Sequence, residues 1–581
     1  MSIGTNVAEK ANLIWAIADN LTGSYKPSEY RLVILPLTVI RRFDCILEKT
    51  HDRVRALYEK KQKQNKFLGS YDDELYAVTS HCFYNISEFT LRDVVANPNQ
   101  VYNNLRDYLK GFSGNVKEIL EKFDFEKQIE RMSEKNILFH VLEEFVGDKG
   151  DFSPEKISNI EMGYVFEEII RKFSEQDNED AGQHYTPREV IELMAQILFC
   201  NDEDVRNKVK ATKMLYDPAC GTGGMLSVAT EYLKKSGSPV TLDCYGQEIQ
   251  DETYAICKAD ILIKSDIDSG RDADNIFCAN TLSDDQLPGV TFDYILSNPP
   301  FGRPWKNERD AVEKEARKGA EGRFAAGLPA IGDSQMLFMQ TVYSKLDREH
   351  GKGAVIHNGS PLFSGDAGSG PSEIRRYVLE HDILEAIIAL PNDIFYNTGI
   401  ATYIWVFNYA KDKKRKGKVQ LINANGLFEK RRKALGSKRN DIGEKDIQTI
   451  VQTYKSFKES DISKIFDTSD FGYRKITVER PLLTKNGKPV EKKGTVQADS
   501  DKRNTENVPL KEDIREYFKR EVLPFAPDAW IDESKTKTGY EIPFTRYFYK
   551  YEPPAKADDV KADILQLEKE AEAALGEVFG E

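Results

Sequence analysis

Met214-Leu215-Tyr216-Asp217-Pro218-Ala219-Cys220-Gly221-Thr222-Gly223-Gly224-Met225 decides the fold. A short apolar run ends in an acid, passes through a glycine-rich turn and opens on a helix-forming segment, which is how doubly wound sheets hold nucleotide-type ligands at their carboxyl edge. Gly221, Gly223 and Gly224, with Thr222 among them and Ala219 before them, let the backbone turn sharply and approach a ligand. A glycine loop alone leaves two readings open, a dinucleotide site or a mere turn. The spacing is not G-x-G-x-x-G, and Asp217 would repel a pyrophosphate, so the loop suits a ligand carrying positive charge or an ammonium group.

Outward from this loop the chain alternates short apolar runs with helix-like segments. The runs Met214 to Tyr216, Leu242 to Tyr245, Phe292 to Leu296, Ala354 to His357, Leu384 to Leu390 and Ala401 to Phe407 predict strands of a doubly wound, mostly parallel sheet with helices on both faces, an α/β fold. Before it, residues 1–151 carry helical periodicity, for example Ala8 to Leu21 and Tyr30 to Lys60, and form an expected N-terminal helical domain. The α/β domain is expected over 152–478 and a C-terminal region over 479–581. A chain of 581 residues, 40% hydrophobic and 30% charged, is too long for one core and predicts two to four domains. Seven scattered cysteines without C-x-x-C spacing predict buried thiols in a reducing compartment. The apolar run Leu32 to Ile40 is broken by Pro36, far short of the ~20 residues of a membrane span, and no signal peptide is recognised, so a cytoplasmic location is expected.

The chemistry gathers at the carboxyl ends of those strands. Glu248, after the second, is placed to accept hydrogen bonds from two ribose hydroxyls, although alone it reads as a surface carboxylate. Ser297-Asn298-Pro299-Pro300-Phe301 follows the strand at 292–296, and two prolines after an amide serve neither strand nor helix; they stiffen a loop at the sheet edge. An adenine exocyclic amine is a poor nucleophile because its lone pair is delocalised. The Asn298 side-chain oxygen and the Pro299 backbone carbonyl can hold its two hydrogens and draw the nitrogen toward tetrahedral geometry, aimed at a sulfonium methyl. S-adenosylmethionine carries both the sulfonium and the ammonium that Asp217 suits, and the scheme uses no metal. A base in duplex DNA must first leave the stack, and Phe301 offers an aromatic face, with Phe395 or Tyr396 as candidates for the other side; for those two, core packing is an equal reading.

These motifs, in this order, resemble the gamma arrangement of amino-methyltransferases, and specifically the modification subunits of type I restriction-modification systems. Gly182-Gln183-His184-Tyr185-Thr186-Pro187 resembles that family's segment contacting the methionine part of the cofactor, which implies Tyr185, Thr186 and Pro187 as cofactor contacts. The likeness spans most of the chain, including the helical N-terminus and the region from Pro527 to Tyr549. It implies adenine-N6 methylation of double-stranded DNA with S-adenosylmethionine, inside a prokaryotic cell. It also implies a complex with a separate specificity subunit, a second copy of this chain and, in some systems, a restriction or translocase subunit. One departure stands out: where such enzymes carry an acid contacting the cofactor's adenine, this chain has Asn280 in Cys278-Ala279-Asn280-Thr281-Leu282.

Several flanking features bear on DNA. The formal net charge of -13 has the wrong sign for a protein that coats DNA unaided, so contact must be local or shared. Gly302 to Asp333, with Lys306, Arg309, Lys314, Arg317, Lys318 and Arg323, predicts a lid or DNA-contacting loop. Lys411 to Asn440 reads equally as a solvated hairpin and as a phosphate-contacting patch. Thr484 to Glu506 predicts an exposed loop, and Ala557 to Leu575 a charged helix with an apolar stripe that offers a docking seam. Asp528, Glu533 and Lys535 superficially match a metal-dependent nuclease pattern, but the acids lie too close together in sequence to sit on two strands. Two other readings stand beside the leading one: methylation of a protein glutamine amide, and a catalytically idle DNA- or partner-binding scaffold.

Overall fold

A computed structural model describes residues 5–177, 186–264, 270–396, 398–492, 494–550, 560–562 and 564–571. Its strands are β1 (Thr212–Asp217), β2 (Thr241–Glu248), β3 (Ile276–Cys278), β4 (Tyr294–Ser297), β5 (Lys352–Asn358), β6 (Leu384–Ala389), β7 (Thr402–Asn408), β8 (Lys418–Asn423), a hairpin of β9 (Glu429–Leu435) and β10 (Lys438–Asp441), and β11 (Ser463–Asp467). All but the hairpin form one nine-stranded sheet in the order β11-β8-β6-β7-β5-β4-β1-β2-β3. Strands β3 to β5 run parallel through β2, β1 and β4, whereas β7 is inserted antiparallel between β5 and β6. The six strands expected from sequence are all present. β6 and β7 are buried along nearly their whole length, which is why they read as unbroken apolar runs. The strand order reverses between β1 and β4, where the connections leave a crevice at the carboxyl edge.

The helical N-terminus does not stand apart from this sheet. Helix Arg31–Leu47 is buried almost all round, and one continuous core runs from Leu13 through the sheet to Tyr454. The seam is closed by buried cations. Arg41 donates Nε to the Gly150 carbonyl at 2.8 Å and pairs with Asp44, while Arg42 reaches the carbonyls of Phe152 and Ile157 and the Asn159 side chain. The expected helix over 30–60 is broken by a 3-10 turn at Glu48–Thr50, where the Thr50 hydroxyl takes the Leu47 carbonyl.

Toward the C-terminus, β12 (Gly472–Glu479), β13 (Glu491–Lys492), β14 (Thr495–Val496), β15 (Asn504–Pro509) and β16 (Trp530–Tyr540) follow; β15-β12-β16 make an antiparallel sheet over Ile476, Val478, Val508 and Phe518. The stretch expected as a plain loop over 484–506 thus holds a small hairpin and the start of a strand. The boundary expected at 478/479 falls inside β12. Arg375 ties this sheet to the larger one, donating to the carbonyls of Tyr540, Pro361 and Ser364. The chain divides into two compact units, Met1–Ile542 and Pro543–Glu581. The second unit contains helix Phe544–Phe548 and helical residues 560–562 and 564–571, with Val560, Ile564 and Leu567 exposed. Among the described residues no helix is long and apolar enough to cross a membrane. The seven cysteines are free thiols; Cys45, Cys220, Cys244 and Cys257 are buried and the other three half-buried.

Candidate active site

Four strands end at one crevice. Asp217 closes β1, Glu248 closes β2, Asn280 follows β3 and Asn298 follows β4. Between them lies a solvent-connected cavity. Glu248, Ile249, Asn280, Asn298 and Pro300 line it from the sheet edge; Arg303, Trp305, Glu308, Ser334 and Phe338 line it from the segment that follows.

Asp217 is almost fully buried, and its Oδ1 accepts from the Ala219 N–H at 3.0 Å. Burial pushes its carboxyl up to about 7; the Ala219 N–H and the Ser297 hydroxyl pull it back and Glu248 pushes it further. Glu248 accepts from the N–H groups of Gly221 and Gln250, both at 2.9 Å, so it pins the glycine loop to the end of β2. Burial still leaves its carboxyl above the ordinary range.

Gly223 serves packing: it has φ +82, and a Cβ there would meet the Cys257 sulfur at 2.8 Å. Ala219 lines the main cavity, whereas Thr222 and Gly224 border a separate small hollow with Arg188 and Lys264.

Asn298 is held by a contact that no local reading would find. Its Nδ2 donates to Thr186 Oγ1 at 2.9 Å, across 112 residues, and its Oδ1 is buried with no donor among the described residues. Thr186 and Pro187 stand where the chain enters helix Arg188–Phe199; Tyr185 lies outside the described residues. Pro299 is buried and Phe301 half-buried against the core edge. Phe395 is 5% exposed and belongs to the core, which corrects its reading as a stacking face. Tyr396 is half-buried, with the Lys438 ammonium 5.7 Å from its ring centroid.

The segment 302–333, expected as a lid or DNA-contacting loop, is an ordered element with its own core. Trp305, Val312 and Phe324 form a small core with Leu282, Leu337 and Phe338, the Trp305 indole donates to Ala330, and buried Arg323 is clamped by Glu315 and the Thr281 carbonyl. The apolar residues scattered among its charges carried that signal. Ile249, Trp305, Glu308 and Ser334 are cavity residues missed in sequence; Ser334 Oγ is buried without a partner among the described residues. The basic stretch also splits. Lys411 pairs with Asp382, Arg415 with buried Glu385 and Lys438 with Glu189, while Lys413, Lys414, Lys416, Lys430, Arg432, Lys433 and Arg439 stay exposed. The nuclease-like residues are tied up in ion pairs: Asp528 with Arg480, and Lys535 with Glu479 and Asp532.

A sheet in this strand order, an acid at the end of β1, an acid at the end of β2 and an unsatisfied amide oxygen after β4 define an S-adenosylmethionine-dependent methyltransferase acting on an amino group. The cavity fits that cofactor: Ile249, Leu282, Trp305 and Phe338 give apolar walls to a nucleoside, and carboxylates stand ready for hydroxyl and amine hydrogens. Residues 158–474 match the N-6 DNA Methylase family and residues 10–145 the HsdM N-terminal domain. The chain belongs to the N-6 DNA Methylase family and is an adenine-N6 DNA methyltransferase.

It is similar to the type I restriction enzyme MjaIX methylase subunit of Methanocaldococcus jannaschii, at 27% identity over 505 residues and 82% of each chain. The HindI methylase subunit of Haemophilus influenzae is also 27% identical, over 52% of this chain and 61% of that one. Among solved structures, the type I methyltransferase subunit of Streptococcus thermophilus shares the fold with a TM-score of 0.60 at 22% identity, over 80% of this chain and 96% of that one.

Proposed function

We propose that this chain is the catalytic modification subunit of a type I restriction-modification complex, in which a specificity subunit selects the DNA sequence and two copies of this chain serve one complex. The reading is supported by relatives bearing that subunit name, by the N-terminal domain shared with them and by an acidic surface that lacks the charge to hold DNA alone.

In the proposed mechanism Asn298 and Pro299 act as acceptors for the two amine hydrogens of an extruded adenine. Thr186 takes the Asn298 amide as donor, so the side-chain oxygen faces the substrate as a fixed acceptor. Because that oxygen is already desolvated, it costs no reorganisation when the amine arrives. When bound, S-adenosylmethionine supplies the electrophilic methyl group. Pro299 and Pro300 keep the loop from relaxing, Phe301 offers a ring to the base, and Asp217 and Glu248 are the proposed partners of the cofactor's ammonium and ribose.

The observation that carries this reading is the buried Oδ1 of Asn298 at the cavity edge, without a donor among the described residues. The test is methyl transfer by the reconstituted complex to duplex DNA, with N6-methyladenine read by mass spectrometry and a release factor as competing acceptor. Asn298→Ala should lower kcat roughly 100- to 1,000-fold while cofactor affinity changes little. Unchanged methylation in that variant, or label appearing in the protein acceptor alone, would overturn the mechanism.

A further inference from the structure

Asn280 has both ends of its amide engaged in this cavity. Its Oδ1 already accepts from the Leu282 N–H at 3.0 Å, and its Nδ2 points at Glu308 Oε1, 2.8 Å away. The side chain therefore presents a donor, where an exocyclic amine needs an acceptor. Glu248, the other carboxylate among the described lining residues, already takes a backbone N–H on each oxygen. Glu308 is placed differently. It lines the same cavity, half-buried, at the start of helix Arg309–Ala316, and its Oε2 has no donor among the described residues. The helix it begins is anchored by Val312 in the small core and by the Arg323–Glu315 clamp, so its position is fixed by packing.

We infer that Glu308 and Asn280 together form the base-reading element of the cofactor site, the carboxylate accepting from the adenine amine and the Asn280 amide donating to the neighbouring ring nitrogen. The proposal rests on the cofactor reading above and adds a residue from the segment after the Asn-Pro-Pro-Phe loop, 28 positions from Asn280. The chemistry is selective, because an adenine edge offers a donor beside an acceptor. A hypoxanthine edge offers an acceptor beside a donor, and would set its carbonyl against the Glu308 carboxylate.

The test compares S-adenosylhomocysteine with its deaminated counterpart, S-inosylhomocysteine, by titration calorimetry on the full chain. The wild-type protein should prefer the adenine compound by roughly tenfold to a hundredfold, as fits one charge-assisted hydrogen bond. Glu308→Gln keeps an oxygen for Asn280 and replaces the free acceptor by a donor, so the fold and the Asn280 contact survive. In that variant the preference should fall below about threefold or reverse. Glu308→Ala should weaken the adenine compound and tighten the inosine compound, whose carbonyl no longer meets a carboxylate. An equal loss for both ligands would assign Glu308 a merely structural role, and an intact preference in Glu308→Gln would overturn the inference outright. A wild-type protein that binds neither compound would instead sink the cofactor reading, a separate failure.

Discussion

Asp217 shows how one buried carboxyl ties stability to pH, and with it the proposed contact to the cofactor's ammonium. Its carboxyl sits at about 7 in the folded protein against an ordinary value of 3.8, so between those limits the native chain holds a proton that the unfolded chain has released. Stability from this group is present below pH 3.8 and lost as pH rises through 7. Asp217→Asn should therefore stabilise the free protein at pH 8 by an amount on the order of 4 kcal/mol, with the gain vanishing near pH 4, as measured by chemical denaturation of both proteins across that range. A gain that does not change with pH would show that burial of the charge is not its origin. For binding the sign reverses: a cationic ligand needs the carboxylate, so affinity for S-adenosylmethionine should fall as pH drops below 7, and the variant should bind weakly at every pH. Thr186→Val, by contrast, should lower kcat about tenfold, because the orientation of Asn298 is lost. Asn298 and Asp217 were legible in sequence because each ends a strand and breaks its apolar pattern. Thr186 was legible only through the family resemblance, and its contact with Asn298 was not, because the two lie 112 residues apart; Glu308 was not legible, because it sits in a segment whose charges hid its core.

At the scale of elements, the hairpin β9–β10 joins two properties that its sequence left undivided. Lys438 is buried and anchors the hairpin to Glu189 and to the carbonyl of Ile394, while backbone donors of Ser437 and Arg439 reach Tyr396 and Asp393. The hairpin is thus stitched to the loop that carries Tyr396, and Lys430, Arg432, Lys433 and Arg439 face solvent from it. Exposure leaves those four residues open to either reading, phosphate contact or solvated surface, and removes Lys411, Arg415 and Lys438 from the first. Replacing Lys430, Arg432 and Lys433 with Ala should weaken DNA binding by the complex uniformly across sequences and flatten the salt dependence by up to about 3 in log–log slope, without touching cofactor affinity. An unchanged slope would return the hairpin to an ordinary solvated surface. The strands were legible here because burial on both faces writes continuous apolar runs; which lysines point inward is a tertiary outcome that a charge run does not encode.

For the whole molecule, the decisive facts are a shared core and an acidic total. Arg41 and Arg42 lock the helical N-terminus onto the segment leading into the sheet, so a shared core crosses the boundary expected at 151/152. A net charge of -13 then sets the terms on which DNA is met. Long-range repulsion from phosphates slows and weakens encounter unless a second surface supplies positive charge, and one basic hairpin offsets only part of it. The proposed division of labour follows, with a specificity subunit bringing the duplex and this chain working on a base delivered to its crevice. The isolated chain should accordingly bind S-adenosylhomocysteine as tightly as the complex does, yet methylate duplex DNA at a rate at least about 100-fold lower at physiological salt, a gap that lowering the salt narrows. Steady-state methylation with and without the specificity subunit, over a salt series, separates the cases. If the isolated chain methylates a defined site at the complex's rate, sequence choice resides in this chain and the division of labour is wrong.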